Sequence, residues 1–190
     1  LRKYPAIFIK PVCGSLGHDI LKIEATAESR YSLQSHQGKK QTLTEDQLKR
    51  FLSKISSKRE YFLQQGIPLA KYRGSPFDLR VSVQKGGGGH WQISGVVAKV
   101  APPKGMLTNL SRNGRAVPAR TVLSHALPDK NFEDLMEKIN NLSLDICQTL
   151  ERSHPGFADA GLDIGIDEKG KPWFIEVNFR DMRYSFRSAG

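Results

Sequence analysis

The sequence predicts an α+β protein built as two small lobes, and three observations carry that expectation. Short strand-like runs alternate with two amphipathic helical stretches along 190 residues, without internal repeats. Several of the runs adjoin across glycine turns, which favours local hairpins over parallel crossovers. A stretch between Gly66 and Gly74, punctuated by Gly and Pro, separates two parts that each hold a helix and strands. The expected lobes are residues 1–66 and 67–190.

In the first lobe, residues 4–12 (YPAIFIKPV) read as a buried strand that closes at Lys10-Pro11. Gly14-Ser15-Leu16-Gly17 follows as a turn, residues 20–24 resume a strand, and residues 31–35 predict a weaker one. Thr44-x-x-Gln47 has the form of a capping box, after which Leu48, Phe51, Leu52 and Ile55 recur at helical spacing. A short strand at 61–65 leads into Gly66-Ile67-Pro68.

The second lobe opens with clean alternation. Phe77, Leu79, Val81 and Val83 are expected inward, with Asp78, Arg80, Ser82 and Gln84 on the other face. Gly86 to Gly89 turns the chain into a strand over 91–100. Residues 102–120, rich in Pro, Gly, Asn and Arg, predict a long loop. Leu135, Met136, Ile139, Leu142, Ile146 and Leu150 make one stripe of a helix over 132–150, with Cys147 at core spacing.

Charge narrows the partners without naming one. A net charge of +10 suits nucleic-acid binding, but outside 49–59 and Arg180, Arg183 and Arg187 the bases are scattered among acids. A phosphate-rich small ligand explains such local basicity equally, and no specific nucleic acid is expected. No run approaches the roughly 20 apolar residues of a membrane helix, and no signal peptide is visible. Cys13 and Cys147 form no metal-type pair, so reduced, intracellular thiols are expected. The chain opens at Leu1 directly ahead of a strand-like run, which predicts a fragment lacking an N-terminal segment.

The C-terminal hairpin carries the most chemistry. Leu162, Ile164 and Ile166 are expected on one face of its first strand, which leaves Asp163 and Asp167 on the other. In the second strand Trp173, Ile175 and Val177 are expected to share a face, with Glu176 and Asn178 opposite. With Glu168-Lys169-Gly170-Lys171 as a four-residue turn, Asp163 would lie across from Glu176. Facing carboxylates destabilise a strand pair unless something compensates. Two carboxylates and an amide oxygen are hard donors of the kind Mg²⁺ takes beside substrate phosphates; an ordinary solvated acidic hairpin is the alternative. Elsewhere, Lys10 precedes a glycine-bearing loop whose N–H groups could approach phosphate. Arg80 could be oriented by Asp78 beside it. Lys99 lies near the loop holding Asn109, Arg112 and Gly114.

The order of these parts resembles the ATP-grasp superfamily, and most closely the YheC/YheD family of endospore coat-associated proteins. The resemblance is carried by IFIKPVCGSLGHDI, YFLQQGIPLAKYRGSPFDLRVSVQK, ISGVVAKV, LTNLSRNG and GLDIGIDEKGKPWFIEVN, and spans nearly the whole chain. It implies an ATP-grasp fold of two α+β lobes with ATP between them, the N-terminal pre-ATP-grasp lobe being absent. Lys10 would contact nucleotide phosphates beneath a mobile loop of Gly14, Ser15, Leu16 and Gly17. Gln64, Gln65, Gly66 and Ile67 would lie against adenine. Arg80, Lys99, Asn109 and Arg112 would face the γ-phosphate and an acyl-phosphate. Asp163, Glu176 and Asn178 would hold two Mg²⁺ ions. The implied function is an ATP- and Mg²⁺-dependent ligase core joining an unidentified carboxylate to an amine or other nucleophile. A catalytically weak ATP-binding spore-coat or assembly protein is the alternative, and a cytoplasmic or spore-associated location follows from either. One departure stands out: Phe179-Arg180-Asp181-Met182 occupies the place where many members carry a short Pro- or Gly-containing segment.

Overall fold

A computed structural model describes residues 3–13, 19–26, 29–35, 37–103, 105, 108 and 114–179. The expected phosphate loop (Gly14, Ser15, Leu16, Gly17) and Asn109 and Arg112 lie outside the described residues, as do Arg180, Arg183 and Arg187. The chain divides into two compact units, Leu1–Ile67 and Pro68–Gly190.

Unit 1 is an antiparallel sheet with one helix. Its strands are β1 (Ala6–Pro11), β2 (Leu21–Ala25), β3 (Arg30–Ser35), β4 (Lys40–Thr44) and β5 (Tyr61–Gln65), ordered β4-β3-β2-β1-β5. The helix α1 (Glu45–Ser56) starts where the sequence places it: Thr44 N–H donates to Gln47 Oε1 at 2.9 Å, and Gln47 N–H donates to Thr44 Oγ1 at 3.3 Å. These reciprocal bonds satisfy donors that the first turn leaves open. Ile9, Ile23, Leu33 and Leu48 form the buried core, flanked by Phe51, Leu52 and Ile55. The strand β4 was not expected. Its sequence KQTLT is exposed at nearly every position, so an edge strand of this kind shows no apolar alternation.

Unit 2 holds the larger sheet, ordered β11-β10-β7-β8-β9 and antiparallel throughout. Its strands are β6 (Lys71–Tyr72, paired only with β7), β7 (Ser75–Lys85), β8 (Trp91–Val100), β9 (Arg115–Pro118), β10 (Asp159–Ile166) and β11 (Pro172–Asn178). Helices α2 (Ala119–Ala126) and α3 (Phe132–Ser153) pack on its apolar face. Phe77, Leu79, Val81 and Val83 are fully buried there with Leu162, Ile164 and Ile166, each contributing about 1.5–3 kcal/mol of burial.

Three expectations change. Residues 102–120 are not one loop, because β9 and the start of α2 occupy their end. The signal was hidden because α2 begins at Pro118 without a side-chain cap. The centre of the α3 stripe is Leu135, Ile139, Ser143 and Cys147, with Met136, Leu142, Ile146 and Leu150 only partly buried. Ser143 is tolerated there because its hydroxyl donates to the Ile139 carbonyl at 2.7 Å.

The third change lies in the hairpin. The turn is one residue shorter than expected: Asp167 N–H bonds the Lys171 carbonyl, and Ile166 pairs with Pro172. That register alone would place Asp163 opposite Ile175. A β-bulge between Asp163 and Ile164 absorbs one residue, so Ile164 faces Phe174 and Asp163 faces Glu176. Trp173 therefore sits across from Gly165 on the acidic face, apart from Val177, which pairs with Leu162.

Candidate active site

Register in unit 2 brings charged residues from four strands onto one face. Arg80 on β7 faces Asp163 on β10, which faces Glu176 on β11. One pair along, Asp78 lies between Lys99 on β8 and Gly165 on β10; one pair the other way, Gly161 faces Asn178. Antiparallel pairing makes these cross-strand neighbours closer than residues two apart on one strand.

That distance rule corrects the expected Asp78–Arg80 pairing. Arg80 Nε donates to Asp163 Oδ1 at 2.8 Å, and its Nη2 reaches Asp163 Oδ2 at 3.5 Å. Lys99 Nζ lies 2.8 Å from Asp163 Oδ2 and 3.1 Å from Asp78 Oδ1. The Thr108 hydroxyl donates to Asp78 Oδ2. Asp78, Lys99, Thr108 and Asp163 are all buried, and the Arg80 side chain keeps 17% of its surface exposed. Gly165, across from Asp78, is approached closely by apolar side chains: a Cβ there would come within 2.7 Å of Leu69 Cδ2 and 3.1 Å of Ile175 Cδ1.

The surroundings shift the two buried acids in opposite directions. Burial pushes Asp163 up, but Lys99 and Arg80 outweigh it and hold its carboxyl below the ordinary range. Burial raises Asp78, and the attraction of Lys99 only partly offsets that. Burial would lower Lys99, yet Asp78 and Asp163 hold it above the usual lysine value. At neutral pH this face presents a fixed ammonium and guanidinium beside paired acids.

Asp163, Glu176, Arg80 and Lys99 are thus brought together, with Asn178 one pair away; its Nδ2 lies 3.5 Å from the Gly161 carbonyl. Two carboxylates and an amide suit a hard cation that also takes phosphate oxygens. Among the described residues no group of three or more His, Cys, Asp and Glu side chains could hold a metal by itself. The donor set fits Mg²⁺ carried in with phosphates and does not amount to a closed protein cage.

The remaining expected residues belong to unit 1. Lys10 pairs with Phe62, Gln64 with Phe8 and Gln65 with Ile7. Gly66 N–H donates to the Ala6 carbonyl at 2.8 Å, and a Cβ at Gly66 would meet Ala6 Cβ at 2.7 Å. Ile67 closes the unit. By alternation Phe8, Lys10, Phe62 and Gln64 share the sheet face opposite Ile9 and the α1 core. Phe62 is 45% exposed. The sequence reading missed Phe8 and Phe62, since aromatic residues in a strand read first as core. It also missed Thr108, which stands in a loop without periodicity. A hollow of about 720 Å³ in unit 1 is lined by Leu21, Leu33, Phe51 and Ile55 on the helix-covered face, so it is separate from Lys10. Among the described residues no helix is long and apolar enough to cross a membrane.

Comparison with known proteins gives the chain a family. A family model described as YheC/D like ATP-grasp matches residues 1–190. The endospore coat-associated protein YheD of Bacillus subtilis (strain 168) is 27% identical over 188 residues, covering 96% of this chain and 41% of that protein. YheC of the same organism is 26% identical over 197 residues, covering 97% and 51%. The chain spans about half the length, or less, of these curated relatives. Among solved structures, the C-terminal domain from K. lactis Pby1, described as an ATP-grasp enzyme interacting with the mRNA decapping enzyme Dcp2, matches with a TM-score of 0.48. It is 13% identical and is matched over 93% of this chain and 50% of that one.

Proposed function

The chain belongs to the YheC/D-like ATP-grasp family, and on that premise we propose that it is an ATP- and Mg²⁺-dependent ligase core. The observation that carries the reading is the cross-strand row of half-buried Arg80, buried Asp163 and exposed Glu176, with the buried Lys99 bridging Asp163 and Asp78. A preorganised ammonium and guanidinium beside paired acids suits phosphoryl transfer, where the protein's work is positioning and charge stabilisation.

In the proposed reaction a carboxylate oxygen forms a bond to the γ-phosphorus of ATP as the bond to the β-phosphate oxygen breaks, releasing ADP. An amine or other nucleophile then attacks the acyl carbon, and inorganic phosphate leaves. Arg80 and Lys99 would steady the transferred phosphoryl group, with Asn109 and Arg112 assigned to the same task. Asp163, Glu176 and Asn178 would hold Mg²⁺, two ions on this reading, which would neutralise charge on the phosphates. From unit 1, Lys10 would bind phosphate under Gly14, Ser15, Leu16 and Gly17. Gln64 to Ile67 would take the adenine edge, and Phe8 and Phe62 supply apolar faces near Lys10.

Glu176→Gln tests the assignment. It should weaken Mg-ATP binding by about 10–100-fold and remove ATP turnover, while leaving the unfolding midpoint near that of the parent. A variant that binds and turns over Mg-ATP like the parent would sink the metal site. The names of the two bacterial relatives support a second reading, a catalytically weak ATP-binding protein associated with the spore coat. Sustained ADP release on adding candidate carboxylates separates the two. The ligase reading expects it, and the coat reading expects nucleotide binding without turnover.

A further inference from the structure

Asp163, the acid assigned above to metal, already carries a cation on each oxygen: Arg80 Nε on Oδ1 and Lys99 Nζ on Oδ2, both at 2.8 Å. Lys99 also spans to Asp78 Oδ1 at 3.1 Å, and the other Asp78 oxygen is fixed by Thr108. Its ammonium is buried between two carboxylates, in the kind of place a divalent ion would take. We propose that Lys99 is a resident counter-cation that keeps divalent metal off Asp163 until a nucleotide arrives. Asp78 is the positioning residue that retains Lys99 when Asp163 turns to the metal. The inference rests on the metal assignment above and adds an order to it: metal enters with the phosphates, not ahead of them.

Charge balance gives the reason. Asp78, Asp163 and Glu176 face Arg80 and Lys99, which leaves one negative charge among these five. A divalent ion alone would turn that into an excess positive charge in a buried place, where uncompensated charge is costly. It would also have to displace an ammonium that lies 2.8 Å from Asp163 and 3.1 Å from Asp78. Nucleotide phosphates remove both obstacles, because they give the metal further oxygens and give Lys99 a new anion. Without Asp78, Lys99 would have Asp163 as its sole acidic partner and would resist the exchange.

Mn²⁺ binding to the chain, followed by the loss of the free-ion spin-resonance signal, reads this directly, with and without a non-hydrolysable ATP analogue. The parent should bind Mn²⁺ alone weakly and bind it much more tightly with the analogue. Lys99→Met should tighten binding of Mn²⁺ alone by about tenfold or more, while weakening binding in the presence of the analogue. Because Lys99→Met leaves two buried acids facing each other, the charge-balanced Asp78→Asn/Lys99→Met variant is a second arm, expected to show the same gain. Asp78→Asn alone should weaken Mn²⁺ binding with the analogue and leave binding of Mn²⁺ alone little changed, a split that loss of folding would not produce. The proposal is overturned if the folded double variant binds Mn²⁺ alone no better than the parent. Asp163→Asn separates that failure from a failure of the site. If Mn²⁺ with the analogue still binds normally to Asp163→Asn, the metal assignment falls and this inference falls with it.

Discussion

Strand β5 of unit 1 and strand β10 of unit 2 show how differently the two units treat a sheet. In β5 every position is exposed or half-buried, and Leu63 keeps 68% of its surface accessible. In β10 every residue from Ala160 to Ile166 is buried, so both faces of the strand are covered. On one face the cover is α2, α3 and an apolar core; on the other, ion pairs compensate the buried acids. A buried charge cluster needs a rigid backing, because its partners stay favourable only in good geometry. A surface that receives a flat ligand can stay open until the ligand arrives. On the proposed reading, unit 2 carries the chemistry and unit 1 handles the nucleotide.

Breaking the charge cluster should have the largest effect. Lys99→Met is expected to cost unit 2 about 3–5 kcal/mol, the scale for removing one partner of a buried pair. Lys10→Ala in unit 1 should cost less than about 0.5 kcal/mol while lowering nucleotide affinity, which Lys3→Ala should not. Urea unfolding followed by tryptophan emission is suited to the first test, since Trp91 and Trp173, the two tryptophans of the chain, both lie in unit 2. If Lys99→Met unfolds with the parent, the contrast between the units fails.

A smaller effect, and one that depends on pH, is expected at Asp167. Its Oδ1 accepts the Lys169 and Lys171 N–H groups, and its Oδ2 accepts the Trp173 indole N–H, each at 2.9 Å. Burial pushes its carboxyl up, but these donors prevail and hold it below the ordinary value. The folded chain thus takes up this proton less readily than the unfolded one. The stabilisation is present above the unfolded value of about 3.9 and is lost as pH falls through the lower folded value. Asp167→Asn should cost about 1.5–3 kcal/mol at pH 7, and its gap from the parent should shrink toward pH 3. A gap equal at both pH values would assign the turn's stability to something other than this charge.

The smallest change sharpens the comparison from the other side. Thr44→Ala removes the cap of α1 and should cost about 1 kcal/mol, seen as faster hydrogen exchange in that helix. Tryptophan-detected unfolding should not move, and Thr44→Ser should restore the parent's exchange. A matching loss in the tryptophan signal would mean that the two units unfold as one.

What could be read from the chain follows from the same physics. The alternation in β7 was legible because its two faces meet opposite environments, and the cap of α1 because Thr44 and Gln47 carry the signal themselves. The opposition of Asp163 and Glu176 was also legible, though a shorter turn and a bulge together produce it where a longer turn was expected. Strand β4 was silent because an exposed polar edge has no pattern, and α2 because it opens on Pro118. Arg80 was given the wrong partner because a sequence shows neighbours along a strand, whereas the nearer carboxylate belongs to another strand 83 residues away.

The bulge also gives the hairpin slack. A strand with unbroken alternation has one parity from end to end, so a residue gained or lost would exchange its faces. Strand β11 contains its own change of parity, and Ile175 is the residue that the pairing of Phe174 and Glu176 does not need. A chain one residue shorter at that point would still bring Glu176 to Asp163 with Val177 opposite Leu162. The hairpin can therefore vary in length just beside its acids while those acids keep facing one another.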